Sequence, residues 1–418
     1  MKKILLGSII TSLLVLFTAC SGENEKSSGS GNETVDFFSD KVDDEAAYSE
    51  ISELINEDIG VELNFVGYSD TTAFQTAVQQ SLGQENSPGM FTWWSGYRME
   101  DIAKSGNIED LTSEWEEYYI PAGVNPDLAE AFKVDGKIYG APATVLYNGI
   151  YYNQEIFEKY NLEVPKTFDE FLALCETLKS EDITPIGMQD AGWASFLWFQ
   201  QLIAAYNPEL YTSLVNGEIS YQDEQVVEVM EIWQSMLDNG YFAEPVDHMT
   251  RAKQFSNGDV AMTYESTRFT KNLEEDFGLE AEKDYSRFIL PSMESSQKPV
   301  IFYETSPIAI SSASSEKDNA IKILREYYGE EQQQAYADQM GIGFLEGVEL
   351  GNETNQNITE KANSDDHLSM IRYYEATPAT IVDAATTSLW EFVYDPSTSS
   401  IENTLKTIQA ESEKAFSN

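Results

Sequence analysis

Two cysteines and two histidines in 418 residues leave little metal or redox chemistry to read. Cys175 has no partner for a disulfide framework, because Cys20 sits at the far N-terminus in a different kind of sequence. His248 and His367 have no metal-ligand spacing around them, so a His/Cys zinc site is not expected, and neither is any other metal or a cofactor. No Gly-x-Ser-x-Gly elbow and no phosphate-cradling glycine loop occurs. Basic residues are also few: 25 Lys and Arg stand against 72 Asp and Glu, for a formal net charge of -47. Such a surface repels nucleic acid and anionic lipid, which excludes nucleic-acid binding. It does not identify a ligand, since the excess can be spread over solvated faces. Proline is sparse, with no long linker after Thr34, no internal repeat and no heptad pattern. Past the N-terminus no run is apolar enough to span a bilayer.

What is present begins at that N-terminus. Lys2 and Lys3 precede an apolar run from Ile4 to Phe17, followed by Thr18, Ala19 and Cys20. The run is short and ends in small residues, as a secretory signal does. The ending resembles a bacterial lipobox, with Phe17 where Leu is commoner. This implies removal of residues 1–19 and lipidation of Cys20; a plain secretory signal with an incidental cysteine is the alternative. Residues 20–34 contain almost nothing that can pack and read as a flexible tether. Acyl chains on Cys20 would hold the body at a membrane surface.

About 380 residues remain, more than one typical core, which suggests two lobes. Strand patterns at Val35–Phe38 and VELNFVGY alternate with helical ones at Glu45–Glu57 and Phe74–Leu82, arguing for an α/β lobe with a mostly parallel sheet. FKVDGKIY reads as a hairpin turning at Asp135-Gly136. The run APATVLYNGIYYN is rich in strand formers. Helices are expected at Phe168–Lys179, Trp198–Ala205, Glu224–Leu237 and Glu316–Tyr328, and a returning strand at Pro307–Ser311. Residues 342–358 read as loop, and 367–415 as helix interrupted at Asp395-Pro396. Cys175 falls in a helical pattern as a buried thiol.

Six segments in order carry a resemblance to a known family. They are Asp40-Lys41 after the first strand, TWWSGYRMEDIAKSG, and FKVDGKIYGAP with IYYNQEIFEKYNLEVPKTFDEF. After these come FSNGDVAMTY, SPIAISSASSEKDNAIKILREYY and SSIENTLKTIQAE. Together they resemble the bacterial extracellular solute-binding proteins of the maltose-binding-protein type, which serve ABC importers. The resemblance implies a two-lobed periplasmic-binding-protein fold of type II with the ligand between the lobes. It places lobe 1 at 34–145 plus 304–350 and lobe 2 at 146–303 plus 351–418. It also implies a monomer that closes by a hinge and delivers its ligand to permease subunits.

A sugar presents apolar ring faces and a rim of hydroxyls, which aromatic rings and charged or amide side chains satisfy. On the resemblance, Asp40, Lys41, Trp94, Tyr97, Arg98 and Trp198 match family contact positions. Trp193 lies in the loop before Trp198 and is the more exposed candidate, whereas Phe196, Phe199 and Leu202 form a core stripe. Trp93 and Trp390 are assigned to core. Tyr147 and Asn148 sit at the first crossover, and Glu304 and Thr305 at the second. Where the family offers a stacking Trp, this chain has Arg268, able to pair with Glu265 or grip an acidic ligand group. The expected function is capture of a carbohydrate, an oligosaccharide, without turnover. A charged solute or peptide is the alternative within the fold. A lipid-anchored glycoside hydrolase is a third reading, since 72 acids supply carboxylate pairs at any spacing.

Overall fold

A computed structural model describes residues 33–417. Cys20 and the segment read as signal and tether lie outside the described residues, except that Glu33 and Thr34 already belong to a strand, pairing with Val61 and Glu62. That strand, β1 (Glu33–Ser39), buries Val35, Phe37 and Ser39 by simple alternation. The helix after it, Glu45–Ile59, buries Ala47, Tyr48, Ile51 and Ile55, and stops at Gly60 in the left-handed region (φ 72°). Then come β2 (Val61–Gly67), a helix at Thr71–Ser81, β3 (Met90–Thr92) and a helix at Tyr97–Ala103. The hairpin is β4 (Lys133–Val134) and β5 (Lys137–Ile138). Its turn residues Asp135 and Gly136 have φ of 50° and 79°, the two positive values a tight hairpin turn requires.

β6 (Ala141–Asn153) is the longest strand and the organising one. β7 (Thr184–Gly187), β8 (Val260–Ser266), β9 (Tyr285–Phe288), β10 (Val300–Ile310) and β11 (Leu368–Ile371) follow. Among the described residues the main sheet runs β2-β1-β3-β10-β6-β8-β7, with β11 beside β10 and β9 beside β6. Pairings of β1 with β2 and β3 are parallel, as expected, while β10 runs antiparallel to β3 and β6, and β6 antiparallel to β8.

Two large hydrophobic cores divide the body. One is built from Val35 through Tyr147 and from residues of 301–362; the other from Ile150 through Val300 and Phe302, and from Tyr373 through Ile408. The chain passes between them on β6, where the core changes between Tyr147 and Ile150. On β10 the pleat sends Val300 and Phe302 into one core and Ile301 and Tyr303 into the other. Packing into the first core therefore runs past residue 350, to Ile358 and Ala362.

Two local expectations are corrected. Within 342–358, read as loop, a helix starts at Glu353 and runs to Ala362, capped by the Asn352 side chain, which accepts from the Asn355 N–H at 2.9 Å. Its sequence, ETNQNITEKA, is polar nearly all round, so no apolar stripe announced it. In 367–415, read as helix, Leu368–Ile371 instead pairs with β10 in parallel, and helices occupy Tyr373–Ala376, Ala379–Tyr394 and Thr398–Phe416. Cys175 is fully buried in helix Phe168–Ser180, and that burial pushes its thiol well above the ordinary range.

Candidate ligand-binding site

The two crossover strands set the floor of the site. β6 and β10 pair with Leu146 opposite Glu304 and Thr144 opposite Ser306. Alternate residues share a face, so Thr144, Leu146, Asn148, Glu304 and Ser306 all face one cavity of ≈ 470 Å³. The same pleat turns Tyr147 and Thr305 the other way. Both were expected at the cleft base, but they are only 2% and 3% exposed, and the Thr305 hydroxyl donates to the Thr144 carbonyl at 2.8 Å.

One wall of the cavity is the loop after β1, with Asp40, Lys41 and Asp44. Asp40 is fixed from the neighbouring strand β3, since the Thr92 hydroxyl donates to it at 3.0 Å, and Lys41 Nζ lies 2.8 Å from its other oxygen. The facing wall brings Trp193, Leu197, Tyr264, Glu265, Arg268 and Phe269, closed off by Arg372 and Tyr374. Trp193 is 39% exposed, an apolar face presented to the cavity.

The charged groups of the site are paired with one another. Arg268 does not meet Glu265: its Nη1 crosses to Asp44 Oδ1 at 3.1 Å, and Tyr336 from the first core donates to the other Asp44 oxygen at 2.9 Å. Asp44 is 1% exposed. Burial would lower the Arg268 guanidinium, but the Asp44 carboxylate outweighs it and holds the group above its ordinary range. Glu265 pairs with Arg251, at 2.5 Å, behind the wall. Burial would raise its carboxyl, yet the Arg251 charge and the Ser266 N–H bring it below the usual carboxylate value. His248, which the sequence reading did not select, accepts from Arg251 on Nδ1 and so offers its Nε2 hydrogen to Asn272 Oδ1 at 3.0 Å. Arg372 ion-pairs with Glu304 and with Glu375. Each of the three cations lining the cavity, Lys41, Arg268 and Arg372, thus carries a carboxylate partner.

Seven of the expected positions meet in this cavity: Asp40, Lys41, Asn148, Trp193, Glu265, Arg268 and Glu304. The others lie outside its lining. Trp94 packs edge-on to Trp93 (5.0 Å) and Phe74 (6.0 Å). Tyr97 faces Phe416. Arg98 stands behind the lining, its Nη2 donating to the Tyr374 hydroxyl at 2.9 Å and its Cζ 4.8 Å from that ring. Trp198 is 4% exposed, stacked on Phe171 and edge-on to Phe242 in the second core. Gly96 explains how helix Tyr97–Ala103 comes so close to the Arg372 segment: its φ is 63°, and a Cβ there would overlap the Glu375 carbonyl oxygen. Arg372 and Tyr374 were missed because residues 367–376 read as helix.

A two-core body with a polar cavity at its crossover strands matches a known pattern. The model for the bacterial extracellular solute-binding protein family matches residues 50–359. The chain belongs to this family. Membership places it outside the cytoplasm, and no helix among the described residues is long and apolar enough to cross a membrane. An uncharacterized ABC transporter extracellular-binding protein of Pyrococcus horikoshii is 31% identical over 200 residues, covering 46% of each chain. The multiple sugar-binding protein of Streptococcus mutans is 27% identical over 195 residues, 46% of this chain and 45% of that one. The match thus spans about half the length of these curated relatives. Among solved structures, a chitin oligosaccharide binding protein superposes with a TM-score of 0.78 at 20% identity, covering 93% of this chain and 100% of the other. The bacterial solute receptor AcbH, described as exclusive for β-D-galactopyranose, also scores 0.78 at 19% identity, covering 92% and 100%. At such identities the likeness speaks for the fold, the two-lobed solute-binding fold of the maltose-binding-protein type.

Proposed function

We propose that this chain is the ligand-capturing subunit of an ABC importer, that its ligand is a carbohydrate, and that it binds without turnover. The observation that carries the reading is the pairing, in one cavity, of a half-exposed Trp193 ring with carboxylates whose charges are already offset by Arg and Lys. An aromatic face suits the apolar side of a pyranose, and a carboxylate held by a guanidinium still has lone pairs for hydroxyl donors. Lining cations that are all spoken for favour a neutral ligand over an acidic one. The sugar-binding names of relatives and structural neighbours support the same choice. An oligosaccharide is the expected size class. The lobes are the two cores, with the second segment of lobe 1 reaching Ala362, and closure on β6 and β10 presents the bound form to permease subunits. Cys20 anchors the chain by lipid, and the segment read as a tether, 20–34, holds a monomeric body at the outer surface of a Gram-positive cell; these points rest on the sequence, with Glu33 and Thr34 already in β1.

The test is thermal melting of the purified body against galactose, raffinose, chitobiose, xylotriose and maltotriose, with a uronate and a dipeptide as controls. A binder raises the melting temperature by mass action and the sugar is recovered unchanged. Turnover of any sugar, or shifts only with the uronate or dipeptide, would overturn the reading.

A further inference from the structure

Between Ile371 and Ala376 the chain makes a turn that touches nearly every part of the site. The Arg372 N–H donates to the Tyr303 carbonyl on β10 at 3.0 Å, which extends the sheet by one residue past β11. The Arg372 side chain is 13% exposed. Its Nη2 and Nε grip Glu375 in a two-point contact at 2.7 and 3.2 Å, while Nη1 reaches Glu304, on the opposite strand and facing the cavity. Its Cζ also lies 5.9 Å from the Trp193 ring centroid, within range of a cation–π contact. One guanidinium thus pairs with a carboxylate that lines the cavity and with one that does not, and lies near the Trp193 ring.

We infer that Arg372 is the positioning residue of this site, holding the Glu304 carboxylate in place as a hydroxyl acceptor and Trp193 at a fixed angle, so that a pyranose sits with its hydroxyl edge on Glu304 and its face on Trp193. The inference rests on the carbohydrate reading above. Glu304 is 29% exposed and Glu375 4%, and they share this one cation. Burial pushes the Glu375 carboxyl up, with the Arg372 charge pulling against it and Glu304 adding to the rise. Without Arg372 the two acids would face each other with no charge between them, and one would take up a proton. The other titratable or charged groups around them are Glu265 and Tyr264 on β8, Tyr211 on helix Pro208–Val215, Tyr303 on β10, Arg268, Arg98, whose Nη2 is taken by the Tyr374 hydroxyl, and His248, held between Arg251 and Asn272. The three tyrosines are raised by burial and stay neutral near pH 7, Glu265 is held by Arg251, and Arg268 by Asp44. None can stand in for Arg372.

The experiment uses R372M, R372M/E375Q and the parent, with the sugar of the panel that gives the largest melting shift. The parent should bind with an affinity flat between about pH 5.5 and 8. R372M should bind roughly tenfold more weakly and acquire a pH dependence of about threefold or more over that range. Removing the surplus carboxylate in R372M/E375Q should flatten the profile again, which a merely structural role for Arg372 would not produce. R372M binding as tightly as the parent, or weakly with a flat profile, overturns the inference. If no sugar binds the parent, the carbohydrate reading falls, and ligand-free melting decides the rest. A pair with raised carboxyl groups binds more protons folded than unfolded, so the R372M deficit should grow as pH rises from about 5 to 8. A deficit independent of pH overturns the charge role as well.

Discussion

The two walls of the cavity are made of different materials. The wall from the first core is a charged loop, Asp40, Lys41 and Asp44, with no ring exposed to the cavity, although Trp94 and Tyr97 lie close in sequence. The facing wall carries the aromatic surface: Trp193, Tyr264 and Tyr374 beside the second core, and Phe269 from a smaller cluster with Tyr151 and Phe255. The difference shows where rings are needed for packing and where they are spare. β3 is only three residues long, and Trp93, buried, and Trp94, partly buried, pack past its end with Phe74. Trp193 follows Gly192 in a loop, beside a helix whose own stripe already fills the second core. A ligand would therefore bury its faces against one wall and have its hydroxyls gathered by the other on closure.

The largest expected effect probes the aromatic wall from behind. Glu265→Gln leaves Arg251, 1% exposed, without its counter-charge, and should cost roughly 3 kcal/mol of stability in urea unfolding at pH 7. Because the Glu265 carboxyl lies below its ordinary value when folded, its contribution is full above the unfolded pKa and lost as pH falls through the folded one. The gap between parent and variant should therefore narrow on acidification; a constant gap would mean that shape and not charge is at stake. Next, Trp193→Ala should weaken sugar binding by about 2 kcal/mol in calorimetry with little change in melting, since the ring is 39% exposed. Breaking the contact between walls, Arg268→Met should cost about 2 kcal/mol of stability, because Asp44, 1% exposed, loses its counter-charge, while the 30% exposure of the Arg268 side lets water replace part of what is lost. Smallest of all, Trp94→Ala should change affinity by less than about twofold while lowering stability through lost packing. If Trp94→Ala hurts binding more than Trp193→Ala does, the contrast between the walls is wrong.

Much of this was legible before any coordinates. Alternation announced β2, short apolar and strand-forming runs announced β1 and β6, and Asp135-Gly136 announced the hairpin, because these signals are local. The crossovers were legible too, but not which neighbour in each pair faces the cavity. Choosing Asn148 over Tyr147, or Glu304 over Thr305, needs the register of β6 against β10, set by residues some 160 positions apart. Arg268, singled out as the unusual residue of its segment, lines the cavity, but its partner is Asp44 and not Glu265. Asp44 lies 224 residues away, at the end of a short helical turn, with one oxygen bonded to Arg268 and the other to the Tyr336 hydroxyl. The Arg372 turn escaped because a four-residue strand that leans on β10 has no pattern of its own.

The crossover strand β10 has one more consequence, for the order in which the protein is made. β1, β2 and β3 leave the ribosome early, yet the open edge of β3 is covered only by residues 308–310, over 200 positions later. At about 5–20 residues per second, that edge waits roughly ten to forty seconds for its partner. During that time the first core is incomplete and a bare strand edge is on offer to any other extended chain. A nascent chain of this design thus cannot cover the edge of β3 until nearly three-quarters of it exists, and in that interval a holding chaperone has an unpaired edge to bind.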